Sequence, residues 1–260
     1  LVLNRRPDAT ERLLDFAMSI KYERRKAPIY CISIIENDQM VDQKLRTAYK
    51  TLEQSMVYAS SMDERIEIRA VIDYDFIDGL TRSAKENLAT DIIAGLPHAK
   101  GWLERLMIST TEKISINNHQ NIFICRLLVS LQLLDKIEVY LFQFSEKEVG
   151  FHDLLERVFQ LQSSMNKTVV FHCNSSAATH IDELVQKRVQ RGMFFYNVVS
   201  SNELLMASEP DVHNLYLLFM SRPGGVSYSA LQLSFQKKMA LNPIDFNFVL
   251  CYPRTGSDVQ

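Results

Sequence analysis

The chain has 260 residues, 47% hydrophobic and 23% charged, with a formal net charge of −2. That balance suits one large or two ordinary packed units, and it excludes both a charge-driven disordered chain and a nucleic-acid binder working through a basic surface. No run of about 18 uncharged apolar residues occurs, so no segment reads as a membrane-crossing helix; the most apolar stretch, NIFICRLLVSLQLLDKIEVYLFQF, is interrupted by Arg126, Asp135, Lys136 and Glu138.

In chain order, short β-branched apolar runs alternate with helical patterns, the signature of a parallel sheet covered on both faces. Strands are expected at 1–4, 28–35, 66–72, 90–96 and 121–127. Between them, the segment from Pro7 places Leu13, Leu14, Ala17 and Ile20 on one helical stripe, and the next helix does the same with Leu45, Ala48, Tyr49, Leu52 and Met56. The acidic stretch DYDFID, with Asp73, Asp75 and Asp78, lacks the glycine and closing glutamate of a calcium loop. It reads as a helix start, where carboxylates suit the positive end of the dipole. The helix GWLERLMISTTEKISI closes this half.

The rhythm then restarts. Strands are expected at 136–144, 167–174, 192–199, 214–221 and 246–253, with helices over 150–166, 176–189 and 226–240. Between the third and fourth strands the segment SSNELLMASEPDVH predicts a short or irregular helix. The chain therefore reads as an internal duplication, 1–128 and 129–260, of two doubly wound, mainly parallel five-stranded α/β sheets. The four cysteines support this: Cys31 and Cys173 fall in second strands, Cys125 and Cys251 in fifth strands. Without a CxxC pair they read as buried, reduced thiols. Fifth strands would be sheet edges, so pairing between halves or between chains, including a homodimer, is the expected assembly.

A doubly wound sheet binds ligands beyond the carboxyl ends of its strands, where the order switches between the first and fourth. Here that means the residues after Asn4 and Gly95, and after Phe144 and Ser221. With this order and these positions, the sequence resembles the universal stress protein family in tandem. The nucleotide-binding members of that family carry Gly-x2-Gly-x9-Gly-(Ser/Thr) at the fourth strand and the next helix. On GLPHAKGWLERLMISTT the spacing falls on Gly95, His98, Ile108 and Ser109, followed by the hydroxyl of Thr111. In the second half it falls on Ser221, Gly224, Ser234 and Phe235. Only one glycine survives in each frame. The family's acidic residue at the end of the first strand is Asn4 in one half and Phe144 or Ser145 in the other. The resemblance thus offers Asn4, Gly95, His98, Ser109 and Thr111 as nucleotide-site positions, and the missing glycines mark the site as degenerate. Gly95 reads first as relief of crowding where a parallel strand ends, and Ser109 to Thr111 as caps of a helix turn. Arg5, Arg6 and the scattered His152, His172, His180 and His213 read as solvated or packing residues.

Several phrases, among them LVLNRRPDATERLLDFAMSIK and SAKENLATDIIAGLPHAKGWLERLMISTTEKI, are similar to the tandem stress-protein-like region that follows the membrane domain of monovalent cation:proton antiporter-2 proteins of the kind seen in Bacteroidetes. That resemblance implies a non-catalytic, regulatory module on the cytoplasmic side of the inner membrane. Its first partner would be the transporter membrane domain of the same chain, with no resident cofactor and no nucleic acid. The opening LVLN, which begins as if inside a strand, fits a piece of something longer. The alternative is a stress-response sensor that still binds ATP or AMP. No nucleophile–base grouping, metal motif or Walker lysine loop appears.

Overall fold

The computed structural model describes residues 1–3, 7–21, 27–96, 102–188, 192–199, 210–234 and 246–256, with the backbone alone at 7–9 and 102–108. In the first half the elements are β1 (Val2–Leu3), α1 (Pro7–Ile20), β2 (Ile29–Glu36), α2 (Val41–Ser61), β3 (Ile66–Asp73), α3 (Phe76–Glu86), β4 (Asp91–Gly95), α4 (Trp102–Asn117) and β5 (Asn121–Arg126). In the second half they are β6 (Lys136–Leu141), α5 (Phe151–Met165), β7 (Thr168–Cys173), α6 (Ser175–Gln186), β8 (Phe194–Val198), β9 (Asn214–Phe219) and β10 (Asn247–Tyr252), with a helical stretch at 230–234. The region expected to hold an irregular helix between β8 and β9 lies largely outside the described residues.

The expected pair of five-stranded sheets is in fact one ten-stranded sheet, ordered β3-β2-β1-β4-β5-β10-β9-β6-β7-β8. Each half keeps the order 3-2-1-4-5, and all pairs within a half are parallel. The join is antiparallel, β10 on β5, with Val249 opposite Cys125 and Cys251 opposite Phe123. The physical reason is the edge problem. Both fifth strands are buried along their whole length, and either one left as an edge would expose an apolar row of unpaired backbone groups. Pairing the two removes both edges at once, so neither is left for a homodimer.

Right-handed crossovers in the 3-2-1-4-5 order put the first two helices of a half on one face and the next two on the other. One face packs α1, α5 and α6 over Val2, Ile93, Phe123, Val139, Phe171 and Val249. The other packs α3 and α4 over Leu3, Ile92, Ile122, Phe142 and Leu250. All four cysteines are free and buried, two in the second strands and two in the fifth. The DYDFID stretch starts a helix as expected: Asp75 caps α3, accepting from Ile77 N at 2.7 Å and Asp78 N at 3.2 Å. Asp73 is held by Arg82 at 3.0 Å. Among the described residues, no helix is long and apolar enough to cross a membrane.

The two halves are stitched by more than the strand ladder. Helix α1 packs on its counterpart α5. Arg157 of α5 makes a bidentate pair with Asp91 at the start of β4, at 3.0 and 2.6 Å, and is 6% exposed. Asn247 of β10 accepts from the backbone N–H groups of Leu128 and Val129 at 2.7 and 3.2 Å, which pins the chain where it passes from one half to the other.

Candidate functional site

The switch point of the first half lies between β1 and β4, where Leu3 stands beside Ala94. Gly95 ends β4 at that switch point, beside β1. The structure also supplies a reason for the glycine. Its φ is not positive, and a Cβ there would lie 3.1 Å from the Cδ1 of Leu13. The missing side chain lets α1 pack closely on β4, which is relief of crowding rather than a left-handed turn. Asn4, His98, Arg5 and Arg6 lie outside the described residues, as do the side chains of 102–108. Ser109 and Thr111 fall inside α4, more than a turn from its start at Trp102. Residues there cannot cap a helix end, so the capping expectation fails. Ser109 is exposed and Thr111 buried.

In the second half the loops after β6 and β9 are described as far as residue 234, with Phe235 of the frame outside the described residues, and the loop after β9 is occupied by the protein itself. Strand β6 ends at Leu141, short of the expected 144, and Phe144 takes a left-handed conformation with φ 70°. The following turn delivers Glu148 to the loop after β9. There one carboxylate oxygen, Oε1, accepts from Ser221 Oγ at 2.7 Å, Ser227 N at 2.9 Å and Ser227 Oγ at 2.6 Å. Gly225 makes room for this. A Cβ on it would fall 2.2 Å from Ser221 Oγ and 2.9 Å from Glu148 Oε1. Gln232, 1% exposed, closes the loop by accepting from Ser221 N and donating to Ser227 O, each at 2.9 Å. Converging hydroxyls, a backbone N–H and a glycine at closest approach are the means by which such loops hold anions. Here the anion they hold is the side chain of Glu148.

The next residue, Arg222, reaches across to the first half. The residue is 7% exposed, and its guanidinium donates to the carbonyls of Pro253 at 3.0 Å and Ser115 at 2.8 Å, and also to those of Asn118 and Gln120. Ser115 belongs to the last turn of α4 and Asn118 follows it directly, so a cation meets the negative end of that helix. Burial pushes the guanidinium down to about 10, still charged at neutral pH. The loop expected to face a nucleotide therefore turns inward on both sides.

Sequence reasoning missed Arg222 and Glu148, because the family frame falls on Ser221 and Gly224 and passes over both. It also missed a polar row on the sheet face. Lys136 Nζ lies 2.5 Å from Glu138 Oε1, His172 Nε2 lies 2.6 Å from Glu138 Oε2, and Asn197 Nδ2 lies 3.0 Å from His172 Nδ1. This network suits the tautomer with the proton on Nε2, which donates to Glu138 while Nδ1 accepts from Asn197. The ring of His172 stacks on Tyr140 at 4.3 Å. Burial works against the charged form of Glu138, but hydrogen bonds from His172 and Lys136 outweigh it and hold the carboxyl below its ordinary range. Period-two alternation would have shown these side chains sharing a face; it cannot show which neighbouring strand supplies the partner. Among the described residues no cluster of His, Cys, Asp and Glu has the makings of a metal site.

No family model matches the sequence, and no curated protein matches it either. Similarity appears at the level of structure. A universal stress protein from Archaeoglobus fulgidus matches with a TM-score of 0.63 at 11% identity, covering 96% of this chain and 97% of its own. The cytoplasmic domain of a prokaryotic cation chloride cotransporter matches with a TM-score of 0.54 at 11% identity, covering 96% and 93%. A Pseudomonas aeruginosa protein of unknown function matches at 0.53 and 7% identity, covering 97% and 92%. The fold is therefore that of the universal stress proteins: a mostly parallel Rossmann-like sheet clothed on both faces by helices. At these identities the likeness defines architecture alone.

Proposed function

We propose that this chain is a non-catalytic, regulatory cytoplasmic module of a membrane cation:proton antiporter, built on a tandem stress-protein fold whose nucleotide sites have degenerated. The observation that carries the reading is the occupied loop of the second half, where Glu148 takes the donors that an anion would need and Arg222 is buried against carbonyls of the other half. A loop spent on internal contacts fits a structural or coupling role better than turnover of a nucleotide. Two further points support it: the phrase-level resemblance to antiporter tails, and near full-length likeness to a transporter's cytoplasmic domain. Such a module regulates only if it binds a ligand or partner differently in two transporter states.

The rival reading is a sensor that still binds ATP or AMP through the first half, favoured by Gly95 at the end of β4 beside β1. Isothermal calorimetry with ATP, AMP and cyclic dinucleotides at millimolar concentration separates the two. The module reading expects no heat. Saturable binding lost in Gly95→Val would replace it with the sensor reading. For the transporter assignment, the test is ion-driven proton exchange in vesicles carrying the full-length protein, with and without this region. An unchanged rate and pH response would remove the regulatory role.

A further inference from the structure

With the fifth strands consumed by the join between halves, β3 and β8 end the sheet. Strand β3 is eight residues long and, among the described residues, pairs on one side only, with β2. Its inner side is marked by two hydrogen bonds, Ile29 N to Arg65 O and Asn37 N to Asp73 O. Backbone groups alternate in direction along a strand, so the odd-numbered residues face β2. The N–H and C=O groups of Ile66, Ile68, Ala70 and Ile72 therefore point away from the sheet.

Two more features lie along this edge. Glu67 and Arg69 share one face, flanked by Arg65; the arginines approach Glu67 at 3.2 Å and 3.8 Å. Helix α2 overhangs the strand. It buries Ala48, Leu52, Ser55 and Ala59 against the sheet, and on one flank Tyr58 donates to Asp15 of α1 at 2.5 Å. At about 100° per residue, Tyr49 and Met56 lie on the opposite flank, toward the β3 edge. They are 44% and 42% exposed.

We propose that β3 is the assembly edge of this protein, pairing antiparallel with β3 of a second copy about a twofold axis at Ile68. The charges select this register over those centred on Glu67, Arg69 and Ala70, and an axis at Ile66 would leave only that residue of the strand in the ladder. Centred on Ile68, Glu67 faces Arg69 of the other copy twice over, in non-hydrogen-bonded positions whose Cα atoms lie about 4.5 Å apart. Ile66 then exchanges hydrogen bonds with Ala70, and Ile68 with its own counterpart. An axis at Glu67 sets Glu67 against itself and Arg65 against Arg69. An axis at Arg69 sets Arg69 against itself, and one at Ala70 sets Glu67 against Asp73. The pairing is isologous and closes at two copies, and it brings the Tyr49–Met56 flanks of the two α2 helices together over the new ladder.

Sedimentation equilibrium on the 260-residue chain tests this. The wild type is expected at twice the monomer mass of 30.0 kDa. Glu67→Arg and Arg69→Glu, each placing like charges in register, are each expected to weaken the dimer about tenfold or more. The double variant E67R/R69E restores the opposite-charge pairs and is expected to recover it. Tyr49→Asp, which leaves the strand untouched, weakens the dimer as well. Circular dichroism confirms that every variant is folded, and a variant that fails this check is replaced by Arg69→Gln, expected to weaken the dimer to a smaller extent. A monomeric wild type overturns the proposal, with the edge charges then serving to repel other strands. So does a dimer indifferent to both single reversals, or one that the double swap leaves dissociated.

Discussion

Arg222→Ala is expected to destabilise the protein by about 3 kcal/mol. The side chain donates to four carbonyls, three of them at the carboxyl end of α4 and the start of β5. Hydrogen bonds from a charged group contribute about 1.5–3 kcal/mol each, but burial of an arginine offsets part of that sum. Water entering the vacated space recovers more, which leaves about a quarter to a half of a gross value of about 6–12 kcal/mol. For a chain of this size each kcal/mol lowers the melting temperature by about 2–4 °C, so the midpoint should fall by about 6–12 °C. Urea unfolding followed by far-ultraviolet circular dichroism measures the loss. Tryptophan fluorescence adds a local view, since the chain's one tryptophan, Trp102, opens the same α4 whose far end Arg222 holds. Arg222→Lys keeps the charge without the fork and should recover less than half of the stability. A loss under about 0.5 kcal/mol for the alanine variant, the level of an ordinary surface change, would refute the clamp.

Glu148→Ala removes the acceptor of three donors and should cost about 1–3 kcal/mol, with faster amide exchange at Ser227 as its local sign. The two glycines of the same loop should respond for different reasons. Gly225→Ala puts a Cβ against Ser221 and Glu148 and should cost about 1–3 kcal/mol by overpacking. Gly224→Ala meets nothing within 4 Å but must hold φ at +85°, for a cost of about 1–2 kcal/mol; thermal melts of the pair rank them. Tyr58→Phe removes the donor to Asp15, whose carboxyl burial already pushes up while Tyr58 pulls it down. Its pKa should rise further, read by carboxyl NMR titration. Glu138 has a folded pKa below its unfolded one, so it contributes stability above the ordinary glutamate range that is lost as pH falls through the folded value. Glu138→Gln should flatten the stability profile in that acid window, measured by urea midpoints at successive pH values.

Much of this architecture was legible in the chain because it is written in local pattern. The strand cores Ile92–Ala94, Ile122–Cys125, Val139–Leu141 and Leu215–Phe219 are continuous apolar runs, and burial of such runs on both faces admits little but a mainly parallel sheet. Gly95 was found at its place for the same reason, since strand order alone fixes where a crevice opens. What the pattern could not carry was long-range pairing. Ser109 and Thr111 read as caps because the glycines of the nucleotide frame are missing around them, yet α4 starts more than a turn earlier, at Trp102. Glu148 went unremarked in the sequence because its partners, Ser221 and Ser227, lie more than seventy positions on.

The sequence by itself determined the α/β class, the two repeats, the positions of the strands and the burial of the cysteines, because periodicity and apolar content act within a few residues of their cause. Only the tertiary structure decided that the repeats form one sheet rather than two, since that depends on two buried edges finding each other across the chain. It decided too that the second nucleotide-like loop is filled from within, because an ion's partner is chosen by distance and burial, which no single stretch of sequence contains.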